Sequence, residues 1–254
     1  TSEGSSQSLE PLQKIVQLNN IATTCICASE LSQASTWFSE ALDKAKELSI
    51  LPIKDFYGSS TTANKSKVTN LYIYQRGEYD EGMTFFSEPI MLNAEILSIP
   101  SAIATILFNF GILKCRLKKE GDALGLFSRA LEFAYMSDYT YASTNVTGTG
   151  ASAVAILHNI GYLYYIAGNY KDSLRTYNKA LRIQRELASS MNTTCMLQFA
   201  STLNCLGVLH FHTSEGSSKA MRFFTDSLSI YRSVNSFDCE NKEIATIMNN
   251  IGRV

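Results

Sequence analysis

The chain has 254 residues, 45% of them hydrophobic, and a formal net charge of −1. That composition supports a substantial buried core, and the balance of signs excludes the basic field that holds nucleic acid. No apolar run approaches the roughly 18 residues of a membrane span, so none is expected.

Residues 1–12 read as a polar tail, and the opening "TSEGSSQS" lacks the apolar stretch of a signal peptide. From residue 13 the chain reads as helix pairs carrying one recurrent signature. Over 13–50, "LNNIATTCICASELSQASTWFSEAL" places Ala22 on a first helix, then Ala34, Phe38 and Ala41 on a second. Over 63–98 the unit is degenerate. Asn70 holds the first small position, and Gly82, Phe86 and Pro89 follow. Pro89 falls inside the second helix expected there, where it would remove a backbone bond and kink it.

The next unit, 101–137, repeats the signature cleanly with Gly111, Ala123, Phe127 and Ala130. Over 151–189 it becomes Gly161, Ser173, Tyr177 and Ala180, and over 197–234 Gly207, Ala220, Phe224 and Ser227. A half-unit, "IATIMNNIGRV", ends at 254 with Gly252. A glycine inside a helix costs about 1 kcal/mol relative to alanine. Packing offsets that penalty if the small residue lets two helices approach and the following aromatic fills the space between them.

This spacing resembles the tetratricopeptide repeat, a pair of antiparallel helices. The resemblance covers nearly the whole chain. It implies an all-α fold, a right-handed superhelical solenoid of about eleven helices in five and a half antiparallel pairs. The small positions lie 41 to 50 residues apart, longer than the ordinary unit of about 34. In that, and in phrases such as "AVAILHNIGYLYY" and "KALRIQREL", the chain is similar to the kinesin-light-chain type of repeat.

The resemblance implies that residues two before the small position face a concave groove, and an asparagine recurs there at Asn20, Asn109, Asn159 and Asn250. A carboxamide can accept from one N–H and donate to one C=O of an extended peptide. Such amides would hold a main chain whatever its side chains. Alternatively they bond backbone within the scaffold. Phe108, Ile112, Arg116, His158 and Tyr162 are the groove positions expected to wall the side-chain pockets, with Asn19 and Asn204 at equivalent sites.

Catalytic, metal and cofactor sites are not expected. The histidines of "HFH", His210 and His212, point about 200° apart on a helix and cannot share a metal. The six cysteines form no C-x-x-C pair and read as reduced thiols of an intracellular, cytoplasmic protein. The function expected is a protein-interaction scaffold that binds an extended peptide or partner segment. The alternative is a regulatory or structural module of a larger assembly. The last helix, with Ile247, Met248 and Ile251, lacks its second member and is expected to leave an apolar strip that favours self-association.

Overall fold

The computed structural model describes residues 9–48, 83, 85–92, 99–136, 153–187, 193–213, 216–234 and 242–254. These form nine helices: α1 (Leu9–Cys27), α2 (Leu31–Leu48), α3 (Ile99–Arg116), α4 (Glu120–Met136), α5 (Ala153–Ile166), α6 (Tyr170–Glu186), α7 (Thr193–His212), α8 (Ser217–Val234) and α9 (Lys242–Arg253). No strand occurs among the described residues. The class is an all-α helical-repeat solenoid.

Three of the helix-to-helix turns are the same device. After α1, the N–H of Glu30 donates to the Cys25 carbonyl and that of Ser29 to Ile26. After α3, Lys119 donates to Lys114 and Lys118 to Cys115. After α5, Asn169 donates to Tyr164 and Gly168 to Tyr165. This paired bonding satisfies the orphan carbonyls of a helix end and requires one left-handed residue. Ser29 (φ 64°), Lys118 (φ 58°) and Gly168 (φ 70°) fill that position. The next residue opens the following helix, because the Glu30, Lys119 and Asn169 carbonyls accept from Ala34, Ala123 and Ser173. At Asn169 the side chain also caps, accepting from the Asp172 N–H.

Packing of the pairs follows the small-and-aromatic signature. A methyl group at Gly111 would stand 2.5 Å from Cε1 of Phe127; at Gly161, 2.5 Å from Cε2 of Tyr177; at Gly207, 2.5 Å from Cε1 of Phe224. No real methyl sits that close, so each glycine is the space its aromatic ring occupies. The partner positions Phe38, Phe127, Tyr177 and Phe224 are all buried. Where the second-helix small residue is serine, its hydroxyl is used. Ser173 donates to the Gly161 carbonyl at 2.8 Å, and Ser227 to the Ala200 carbonyl at 2.6 Å. A buried hydroxyl left without a partner would cost about 1–3 kcal/mol, which these contacts avoid.

The chain divides into two compact units, Thr1–Asn70 with Ser87–Ile156, and Leu71–Phe86 with Leu157–Val254. In the first, α1 packs on α2 and α3 on α4, while α2 meets α3 through Phe38 and Phe110, stacked with centroids 5.6 Å apart. In the second, Tyr177, Leu181, Leu203, Leu206, Phe224 and Ile247 share one core with Met83.

Several expectations change. The degenerate unit over 63–98 is not a helix pair in its described part. Residues 85–92 form no helix and bend at Glu88, so Pro89 interrupts no helix; residues 63–82, 84 and 93–98 lie outside the described residues. The strip on α9 is covered in part, with Ile251 half-buried. Ile247 is 1% exposed, although Met248 is 51% exposed. Among the described residues one helix, Ile99–Arg116, is long and apolar enough by length and composition to cross a membrane. Its apolarity has a local cause, since α1, α2 and α4 all pack against it and 67% of it is buried.

Candidate functional site

The three asparagines Asn20, Asn109 and Asn159 all grip non-helical main chain, and that main chain lies within the protein's own residues 86–92. In the first unit, the Leu92 N–H donates to Asn20 Oδ1 at 2.8 Å and Asn20 Nδ2 donates back to the Leu92 carbonyl at 2.9 Å. The Ile90 N–H donates to Asn109 Oδ1 at 2.8 Å, and Asn109 Nδ2 donates to the Ile90 carbonyl at 2.7 Å. In the second unit, the Phe86 N–H donates to Asn159 Oδ1 at 2.8 Å, with Asn159 Nδ2 returning to the Phe86 carbonyl at 3.0 Å. Each amide thus reproduces the two-bond exchange between facing residues of an antiparallel β-ladder. The orientation of each amide is fixed by the bond pattern, because a backbone N–H can only donate.

Parity explains which residues are held. Along extended backbone, alternate residues turn their N–H and C=O to opposite edges. Ile90 and Leu92, two residues apart, therefore turn their backbone groups the same way, to Asn109 and Asn20. Pro89, which has no N–H, could not make such a two-bond pair.

Around the first unit's pair, Asn19 completes a network. Its Oδ1 accepts from Asn109 Nδ2 at 3.0 Å, and its Nδ2 donates to Asn20 Oδ1 at 3.1 Å and to the Ile90 carbonyl at 3.2 Å. Asn19 and Asn109 are fully buried. The Arg116 guanidinium, exposed, donates to the Ser87 carbonyl at 3.2 Å and the Ile26 carbonyl at 3.3 Å. Beside the segment lies an open surface recess of about 430 Å³ lined by Asn20, Ile21, Thr24, Cys25, Ala28, Glu30 and Met91.

In the second unit the wall is aromatic. Phe85 lies 5.1 Å from Tyr162, and Phe86 meets His158 edge-on at 5.4 Å. His158 is fully buried and touches Tyr177 edge-on at 5.1 Å. Its Nε2 lies 2.8 Å from the Thr202 hydroxyl, which itself donates to the Gln198 carbonyl. The hydroxyl oxygen therefore accepts, so Nε2 carries the proton and Nδ1 is a buried acceptor with no partner among the described residues. Burial holds this imidazole well below its ordinary value, at about 3. His158 is a neutral positioning group.

The remaining expected site residues fall elsewhere. Asn250 meets no described part of the segment; its Nδ2 donates to Asn204 Oδ1 at 3.3 Å, joining α9 to α7. Phe108 is not a pocket wall but a core residue, 1% exposed with its ring 5.6 Å from Phe127. Ile112 is likewise fully buried. His210 stacks on Phe223 and His212 on Tyr170, each ring turned to a different neighbour. No group of three or more metal-ligating side chains occurs among the described residues. Sequence reasoning missed the segment as a ligand, although the run "FFSEPIML" carries a Glu-Pro step that disfavours helix.

Residues 154–190 match the tetratricopeptide repeat family model. Among solved structures, the chain is similar to BtubC (BKLC) from P. vanneervenii, with a TM-score of 0.56 and 16% identity over 89% of this chain and 67% of that one. No curated protein matches the sequence. By its one matched repeat and its fold, the chain is similar to tetratricopeptide-repeat proteins.

Proposed function

We propose that the chain is a non-enzymatic protein-interaction scaffold that binds an extended partner segment through its groove asparagines. Proteins of this repeat class generally serve as interaction modules, which supports the coarse assignment. The observation that carries the finer one is the pair of main-chain bonds made by Asn20, by Asn109 and by Asn159. Amides that grip backbone select for extended conformation, not for sequence. Side-chain preference would then come from Tyr162 and His158 in one unit and from Arg116 and the recess at Ile21 in the other. A long repeat spacing supports the kinesin-light-chain variant of the repeat, and six cysteines without a C-x-x-C pair support an intracellular, cytoplasmic setting.

A second reading also has an observation in its favour. The three amides are already paired with the chain's own backbone, as a structural module of a larger assembly would have them. Fluorescence anisotropy with labelled extended peptides separates the two. Asn159→Ala should weaken binding by about 1–3 kcal/mol, the cost of an unpaired buried peptide group, while Asn250→Ala, whose amide serves Asn204, should not. Equal effects of the two substitutions, or no peptide bound at all, would favour the structural module.

A further inference from the structure

We propose that the exposed face of α6 is a second interaction surface, a ridge of five cations that fits an acidic segment of a partner protein. Lys171, Arg175, Lys179, Arg182 and Arg185 are all exposed. At about 100° per residue, their steps of three and four gather them into one stripe roughly 120° wide. At about 1.5 Å per residue, the stripe runs for about 21 Å. The opposite face of α6 holds Ser173, Tyr177, Ala180 and Leu181 in the core, so the cations stand in solvent. α6 carries none of the asparagines that grip residues 86–92, and the ridge is independent of them.

A helix face that serves only solubility interleaves its charges, as α2 does. There Lys44 meets Glu47 at 3.0 Å and Lys46 meets Asp43 at 2.8 Å, each three residues away. On α6 each cation instead has another cation three or four residues along, an arrangement that destabilises a helix. Among the described residues only Arg175 of the five meets a carboxylate, Asp172 at 3.0 Å, and its side chain is still 69% exposed. Lys171 and Arg175 also stand in the first two turns, where the helix dipole disfavours positive charge. The whole chain is formally −1, so the row is a local concentration and not a reflection of composition. Folding gains nothing from such a row, whereas a partner of opposite charge gains from every member of it.

Three chemistries carry enough negative charge to match it, a lipid surface, a nucleic acid and an acidic polypeptide. A helix that lies on a membrane puts its apolar face into the lipid, but that face of α6 is buried in the protein. A ridge for single-stranded nucleic acid sets aromatic rings among its cations so that bases can stack, and α6 exposes no large apolar or aromatic side chain. Carboxylates need only cations within reach. Three of the five are arginines, whose planar guanidinium pairs with a carboxylate through two parallel bonds. The occupant that fits is therefore a run of Asp and Glu.

The probe is a labelled decaglutamate peptide, titrated into the intact chain at low salt and followed by fluorescence anisotropy. Two double variants make the comparison. Lys179→Gln with Arg182→Gln removes the middle of the ridge, while Lys118→Gln with Lys119→Gln removes two exposed cations from the turn between α3 and α4. Both pairs lower the net charge equally, so a global electrostatic effect would treat them alike. The ridge variant should bind about tenfold more weakly than the intact chain. The turn variant should match the intact chain, and added salt should erase the difference. Equal loss in both variants, or no binding of the peptide to the intact chain, would overturn the proposal. So would tighter, ridge-dependent binding of phosphatidylserine vesicles or of an oligouridylate, which would assign the ridge to lipid or to nucleic acid. The ridge variant should also melt no lower than the intact chain, because it removes repulsion between like charges. A lower melting temperature would make the cations part of the fold and not a docking surface.

Discussion

Gly161→Ala sets two physical terms against each other. Alanine in place of a mid-helix glycine gains about 1 kcal/mol of helix propensity. Against this, the new methyl would stand 2.5 Å from Cε2 of Tyr177 and 2.9 Å from both Cδ2 and Cζ. The ring has little freedom to retreat. It is fully buried, its hydroxyl donates to the His158 carbonyl at 3.3 Å, and the His158 ring abuts it nearly perpendicular, at 84°. Overpacking of this kind costs about 1–3 kcal/mol and more where neighbours are fixed. The net expectation is a destabilisation of about 1–2 kcal/mol in urea melts followed by circular dichroism. Gly125, in α4, is the control, since a methyl there meets nothing within 4 Å. Gly125→Ala should stabilise by about 0.5–1 kcal/mol. A Gly161→Ala chain as stable as Gly125→Ala would refute the close-approach account of the repeat.

The same geometry yields further expectations. Phe127→Ala should cost about 3–5 kcal/mol by equilibrium melts, and more than Tyr165→Ala, because Phe127 is fully buried and Tyr165 only half-buried. Lys118→Gly should stabilise the chain by about 1 kcal/mol, because it relieves a left-handed residue at φ 58° in the turn where Gly168 already stands. The His158 imidazole titrates at about 3 when folded and at its ordinary 6.5 when unfolded, so the unfolded chain binds the extra proton between those values. Stability should fall as pH drops through that window, by up to about 1.4 kcal/mol per pH unit. In a His158→Gln chain the slope of stability against pH should be shallower by one proton, which pH-dependent urea melts would show.

The fold was largely readable because the repeat's packing rule is local in sequence. Gly111 with Phe127, and Gly161 with Tyr177, sit at fixed offsets on two adjoining helices, and each pair touches where the offset requires. The asparagines were readable for the same reason, as they recur two positions before the small residue. What they hold was not. Gly82, Phe86 and Pro89 copy the spacing of a second helix, yet residues 85–92 form no helix. A helix finds its backbone partners four residues away, whereas Phe86, Ile90 and Leu92 find theirs in side chains 73, 19 and 72 residues distant. No local pattern encodes such a partner. Phe108 misled in another way. Its offset matched the groove row, but the ring turns toward Phe127 and into the core.

The central claim is that Asn109 acts through the backbone of Ile90, and a double-mutant cycle tests it directly. Asn109→Ala and Ile90→Pro each remove one side of the 2.8 Å bond between the Ile90 N–H and Oδ1. If that bond is what Asn109 contributes, the second substitution costs little once the first is made, and the cycle should show a coupling of about 1 kcal/mol or more. Additive losses, with a coupling indistinguishable from zero, would mean that Asn109 stabilises the chain by some other route and that its grip on residues 87–92 contributes nothing.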